Sequence, residues 1–196
     1  MPSSVIRHGL GRVASVAFPT SPASYMPDPP LISPYSFGAA FELGTTVIGA
    51  LASSTYPATN RAFGYMFTLG DYYLVRKVWW VNGTTATTDS ADVAVYTEDG
   101  ATRLVAAGST AIATANVVQE VDVTDTLLAP GRYWCVYNQN GVTATPVCCQ
   151  VVIAQARFCG WAQFAGAVPL GTTFTPAAIA ANLVPYFGIA NRTQVA

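Results

Sequence analysis

Acid–base or nucleophilic chemistry needs titratable side chains gathered at one place, and this chain supplies few of them. His8 is the only histidine, so a nucleophilic cysteine or serine has no imidazole base elsewhere in the chain. The acids Glu42, Asp71, Asp89, Asp92, Glu98, Asp99, Glu120, Asp122 and Asp125 are material for a glycoside-hydrolysis pair, yet no spacing selects two of them. Asp89 and Asp92 offer oxygens to calcium, but the DxDxDG spacing is absent. Glu98 and Asp99 fall on a predicted hairpin turn. Asp122 and Asp125, in DVTDT, fall on a predicted turn after a strand, where an aspartate bonds backbone N–H groups. No GxSxG, HExxH, P-loop or GxGxxG occurs. The expectation is a protein that is not an enzyme and holds no cofactor or metal.

Cys135, Cys148, Cys149 and Cys159 show no CxxC spacing and no nearby histidine, which argues against zinc. Four cysteines allow three pairings. Two readings stay open: buried thiols acting as small hydrophobes, or a bridge closed after release into an oxidising medium. Adjacent Cys148 and Cys149 on a strand point to opposite faces. Trp79, Trp80, Trp134 and Trp161 would form a sugar-stacking platform if exposed together. Core packing is the expectation, since Trp79 and Trp80 face opposite sides of one strand and at least one belongs inside. Asn60-Arg61 reads as a turn whose arginine anchors an acid across the sheet.

The elements that must hold these residues are short and β-like. The runs 45–52, 62–69, 74–82, 92–99, 102–108, 117–123, 132–138 and 146–154 are rich in branched and aromatic residues. Asn82-Gly83, Asp99-Gly100, Pro130-Gly131 and Asn140-Gly141 separate several of them. Between 92 and 99, Val93, Val95 and Thr97 oppose Ala94, Tyr96 and Glu98; between 117 and 123, Val117, Val121 and Val123 share a face with Gln119. Strands at this spacing predict an all-β fold, an antiparallel β-sandwich of jelly-roll type over residues 45–154. Past it, residues 155–196 form a charge-poor segment expected to dock on the sandwich or on a neighbour. Within it, FCGWAQF (158–164) reads as a strand. TPAAIAANLV (175–184) starts like a helix capped by Thr175 with Pro176 at its first position, and LVPYFGIA reads alternatively as an extended strand.

The first 44 residues differ in kind. Seven of the 13 prolines lie within the first 34 positions. Proline fixes φ and removes a donor, so neither a helix nor a central strand runs through them. The prediction is an extended arm, residues 1–44, with polyproline-like stretches. Its apolar side chains, among them Ile6, Val13, Phe18, Tyr25, Ile32, Tyr35 and Phe37, have no domain of their own and are candidates to bind a neighbouring subunit.

Charge distribution points the same way. Only 10% of the 196 residues are charged and 52% are hydrophobic, with a formal net charge of -1, where soluble domains usually carry about 25% charged residues. From Tyr133 to Ala196 the only charged side chains are Arg157 and Arg192. Interface cores are depleted of charge, so this predicts obligate assembly. Lys77 is the sole lysine, and without a basic field nucleic acid is not an expected partner. Residues 147–170 are the most apolar stretch, but Gln150, Gln155, Arg157, Gln163 and Pro169 interrupt it, so no membrane span is expected. The N-terminus builds no continuous apolar signal region, and folding in a cytoplasm is the default expectation.

Three runs together resemble a known module: YPATNRAFGYMFTL (56–69), ADVAVYTEDGATRLVAAGST (91–110) and QEVDVTDTLLAPGRYWCVYN (119–138). They are similar to a β-sandwich found in virion proteins of tailed bacteriophages, with an Asn-Arg before the first strand, a hairpin, and then a Pro-Gly-Arg-Tyr-Trp turn into a strand. The resemblance covers roughly residues 45–150 and brings no catalytic residues with it. It implies a non-enzymatic structural component of the virion (head decoration, neck or collar, tail or fibre), made in the host cytoplasm. Its partners would be copies of itself and other virion proteins. The alternative is a carbohydrate-binding module of a tail fibre that recognises a host surface glycan.

Overall fold

The structure, a computed structural model, describes residues 51–158 and 160–191. The predicted arm, with Ile6, Val13, Phe18, Tyr25, Ile32, Tyr35 and Phe37, lies outside the described residues, as do Cys159 and most of the predicted strand 45–52.

Alternation along each strand decides which side chains turn inward. In β2 (Arg61–Leu69) these are Phe63, Tyr65, Phe67 and Leu69; in β4 (Ser90–Thr97), Ala91, Val93 and Val95; in β8 (Gly131–Gln139), Cys135 and Tyr137. They face Tyr73, Val75, Val78 and Trp80 of β3 (Tyr73–Val81), whose inward phase changes at an irregularity between Val75 and Lys77. Partly buried Val121 and Val123 of β7 (Val118–Leu128) pack against the same core. The pairing is nested: β2 with β8, β3 with β7, and β4 with β5 (Arg103–Ala106), all antiparallel. A long hairpin folded over on itself in this way is a jelly-roll sandwich.

The first sheet extends beyond β2 through β10 (Trp161–Ala165) and β11 (Ala177–Ala178), giving the order β11-β10-β2-β8-β4-β5, with β6 (Thr110–Ala111) also on β4. Opposite it lie β13-β3-β7 and β1-β9-β12, where β1 is Ala52–Ser53, β9 Val147–Gln150, β12 Leu183–Pro185 and β13 Phe187–Ala190. Tyr186 joins these two smaller sheets. Its N–H donates to Val147 O at 2.9 Å, and its carbonyl accepts from Val81 N at 3.1 Å.

The C-terminal segment is therefore part of the sandwich. Trp161, Phe187 and Ile189 lie in the main core, where Tyr65 meets Trp161 at 5.4 Å and Phe187 at 5.3 Å between ring centroids. Three local expectations are corrected. Residues 175–184 form no helix: two turns hold poorly alone, and pairing of β11 and β12 with burial of Ile179 and Val184 prevails. The predicted strand 146–154 ends at Gln150, and Ile153–Phe158 form the helix α1. DVTDT is no turn, because β7 runs through it to Leu128.

Candidate functional site: an uncharged groove beside a buried strap

The main sheet is covered on its outer face too. Ala94 and Tyr96 of β4, Trp134 and Val136 of β8, Ala62 of β2 and Ala162 of β10 form a second core there, roofed by Leu170 and Phe174. These two belong to residues 166–175, which cross the sheet as a strap. Phe174 packs edge-on against Tyr96 at 4.8 Å and Trp134 at 5.4 Å, and lies 4.9 Å from Phe164.

Polar side chains and backbone groups of the sheet and its loops hold the strap at Gly166, Leu170, Gly171, Thr172 and Phe174. Asn138 Nδ2 donates to Gly166 O at 2.7 Å, and Gly166 N to Asn60 O at 2.9 Å. Leu170 N donates to Asp92 Oδ2 at 2.8 Å, and Arg103 donates to Leu170 O. Tyr96 donates its hydroxyl to Gly171 O at 2.6 Å, Arg103 N donates to Thr172 O at 2.9 Å, and Phe174 N donates to Gly100 O at 2.9 Å. Asp92 is fully buried, and its other oxygen accepts Gly108 N at 2.9 Å. Burial is the largest influence on its carboxyl and raises its pKa above the ordinary 3.8, against the lowering effect of the two N–H bonds and Arg103.

Five further acids are similarly committed. Asp89 Oδ2 accepts Thr143 N and Ala144 N at 3.0 and 2.7 Å, fastening the loop before β9. Asp99 accepts Thr97 Oγ1 at 2.6 Å and Ala101 N at 3.0 Å inside the predicted β4–β5 hairpin, and these bonds hold its carboxyl below its ordinary value. Asp122 takes Lys77 Nζ across the β3–β7 ladder, Asp125 takes Arg76 at 3.4 Å, and Glu98 takes Arg132 at 2.6 Å. Arg61 has no part in the three ion pairs found among the described residues. Asn60 before it does sit in a left-handed turn, at φ 55°.

All four tryptophans are buried. Trp80 and Trp161 lie in the main core, and Trp134 under Phe174. Trp79 lies on the opposite side of β3 from Trp80, against Tyr186 at 5.0 Å. They form no exposed platform on which a sugar ring could stack. Cys135, Cys148 and Cys149 are buried thiols. Burial pushes Cys135 and Cys148 up to about 12, well away from thiolate chemistry at neutral pH. No group of three metal-ligating side chains occurs among the described residues, and no helix among them is long and apolar enough to cross a membrane.

Beside the strap lies a groove of about 580 Å³, lined by Phe164, Pro169, Thr173, Phe174, Thr175 and Ala177 among others, with no charged side chain. Most of the strap and β11 side of this groove is exposed and small. Sequence reasoning missed it. The signal available was the run of small and hydroxylated residues from Ala165 to Ala178, which lacks both strand alternation and charge. Set against family models, curated proteins and solved structures, the chain matches none.

Proposed function

We propose that this protein is a non-enzymatic structural subunit of a tailed-bacteriophage virion, assembling in multiple copies with itself and with other virion proteins. The observation that carries this reading is where the polar groups go. Asp89, Asp92, Asp99, Asp122, Asp125 and Glu98 each hold a backbone or a cation of the fold, while the groove on the outer face presents no titratable group. Catalysis needs such groups in a cleft; assembly needs uncharged, shape-bearing surface. The three runs that resemble the virion module support the reading independently. They correspond here to β2, the β4–β5 hairpin and the β7–β8 corner.

Two measurements test it. Mass spectrometry of gradient-purified particles of the encoding phage is expected to find the chain at many copies per particle; its absence from the particles overturns the proposal. Deletion of residues 1–34 is expected to leave a folded sandwich by circular dichroism that no longer joins the oligomer. The larger apolar side chains of this stretch are each worth about 1.5–3 kcal/mol when buried, against an ordering cost of about 1–2 kcal/mol per residue that proline reduces. A truncated chain that assembles normally removes the arm from the scheme.

A further inference from the structure

We propose that Asn140 is a site of spontaneous backbone modification: it closes to a succinimide with Gly141, opens to aspartate and isoaspartate, and thereby loosens the loop before β9. The inference is independent of the assembly reading. It rests on how differently the fold treats Asn82-Gly83 and Asn140-Gly141, the two Asn-Gly pairs of the chain.

The first pair is locked. Asn82 is buried, its Oδ1 accepts Trp80 Nε1 at 2.8 Å, and its Nδ2 donates to Thr114 O and Gln119 Oε1, each at 2.8 Å. Gly83 N donates to Thr145 O at 2.6 Å. Attacking nitrogen, leaving amide and access of water are all blocked.

The second pair is open at each of these points. Asn140 is exposed just past the end of β8, and Gly141 lies in the loop that follows. Among the described residues, neither Gly141 N nor Asn140 Nδ2 donates a hydrogen bond. The carbonyl end of the side chain is held instead. Asn140 Oδ1 accepts Ser90 N at 2.8 Å, and Asn140 N donates to Ser90 O at 3.0 Å. The Ser90 N–H polarises that carbonyl and faces the oxygen on which negative charge develops during attack. Glycine presents its nitrogen with no side chain in the way. A Cβ at position 141 would stand 2.3 Å from Asp89 Oδ1, so a larger residue does not fit there.

The chemistry needs only water. Gly141 N gives its proton to hydroxide and bonds to Asn140 Cγ. The Cγ–Nδ2 bond breaks, and ammonia leaves with a proton returned by solvent. Water then opens the ring. Attack at the side-chain carbonyl gives aspartate, and attack at the main-chain carbonyl gives isoaspartate, with an extra methylene in the backbone.

Both products act on one clamp. Asp89, next to Ser90, holds Thr143 N and Ala144 N at 3.0 and 2.7 Å, and Gly141 O accepts Gln139 Nε2 at 3.0 Å. A new carboxylate beside Ser90 N repels that of Asp89. An inserted methylene displaces Gly141 from its place against Asp89 and Gln139.

The test ages the full-length chain at pH 6 and pH 8 and maps it by peptide mass spectrometry. The Asn140 peptide is expected to become about 1 Da heavier and to split into two chromatographic species, faster at pH 8. The Asn82 peptide is expected to react at least about tenfold more slowly in the folded chain, and at a similar rate once urea removes the fold. An Asn140 peptide that stays unmodified, or an Asn82 peptide that keeps pace with it in the folded chain, overturns the proposal. Asn140→Gln, whose longer side chain closes the ring poorly, is expected to abolish the product; a mass gain that persists in its peptide places the reaction elsewhere and also overturns it. Hydrogen exchange at Thr143 N and Ala144 N is expected to be faster in aged than in fresh protein, and equal exchange overturns the loosening of the loop.

Discussion

Asp92 is where the strap, the sheet and the β5–β6 turn meet, so Asp92→Asn tests how the outer face is held. The carboxylate uses both oxygens, one for Gly108 N and one for Leu170 N. The carboxamide keeps one acceptor, so one buried N–H loses its partner and faces an NH2 group, at a cost of about 1–3 kcal/mol. The substitution also removes a buried charge. That gain is real, because desolvation outweighs the N–H bonds and raises the carboxyl. The net expectation is a loss of about 1–2 kcal/mol at pH 7. The pH dependence carries a definite sign. With the folded value above the unfolded 3.8, the unfolded chain releases the proton first as pH rises. Asp92's contribution is therefore largest below 3.8, declines through the folded value and is constant above it. The carboxamide cannot titrate, so the difference between the two proteins isolates this one group. Urea unfolding followed by tryptophan fluorescence at several pH values from 4 to 7 is expected to show the wild-type advantage growing as pH falls. An advantage that shrinks with acid would refute the reasoning, since it would mean that the N–H bonds and Arg103 outweigh burial.

Phe174→Ala removes the side chain that roofs Tyr96 and Trp134; urea unfolding is expected to show a loss of about 3 kcal/mol, with a value under about 1 refuting a packed second core. Gly100→Ala is expected to lower the thermal midpoint by several degrees, about 1–3 kcal/mol. Gly100 has φ +70°, and a Cβ there would collide with Phe174 O. Cys135 and Cys148 are expected to resist iodoacetamide at pH 8 in the native protein and to react in urea; intact mass reads the number of adducts, and rapid native labelling at either would contradict their burial.

Strand content was legible from residue order because burial on one face imposes a period of two. Phe63, Tyr65 and Phe67, or Val93 and Val95, announce their strands without reference to anything distant. So did the hairpin at Asp99-Gly100 and the interior destiny of at least one of Trp79 and Trp80. The scarcity of histidine and of charge was a matter of counting. What no local pattern carries is the identity of whatever covers a second face. Tyr96 and Trp134 alternate away from the main core as solvent-facing residues would, and only the return of residues 166–175 buries them. The same holds for Asp122 and Asp125, which read as turn residues until β3 brings Lys77 and Arg76 opposite them. The stretch 175–184 reads as the start of a helix until β10 and β9 offer it backbone partners. Hydrogen bonds between strands and the covering of an outer face join residues far apart in the chain. Periodicity within a strand therefore determines its two faces, and tertiary structure alone decides what each face meets.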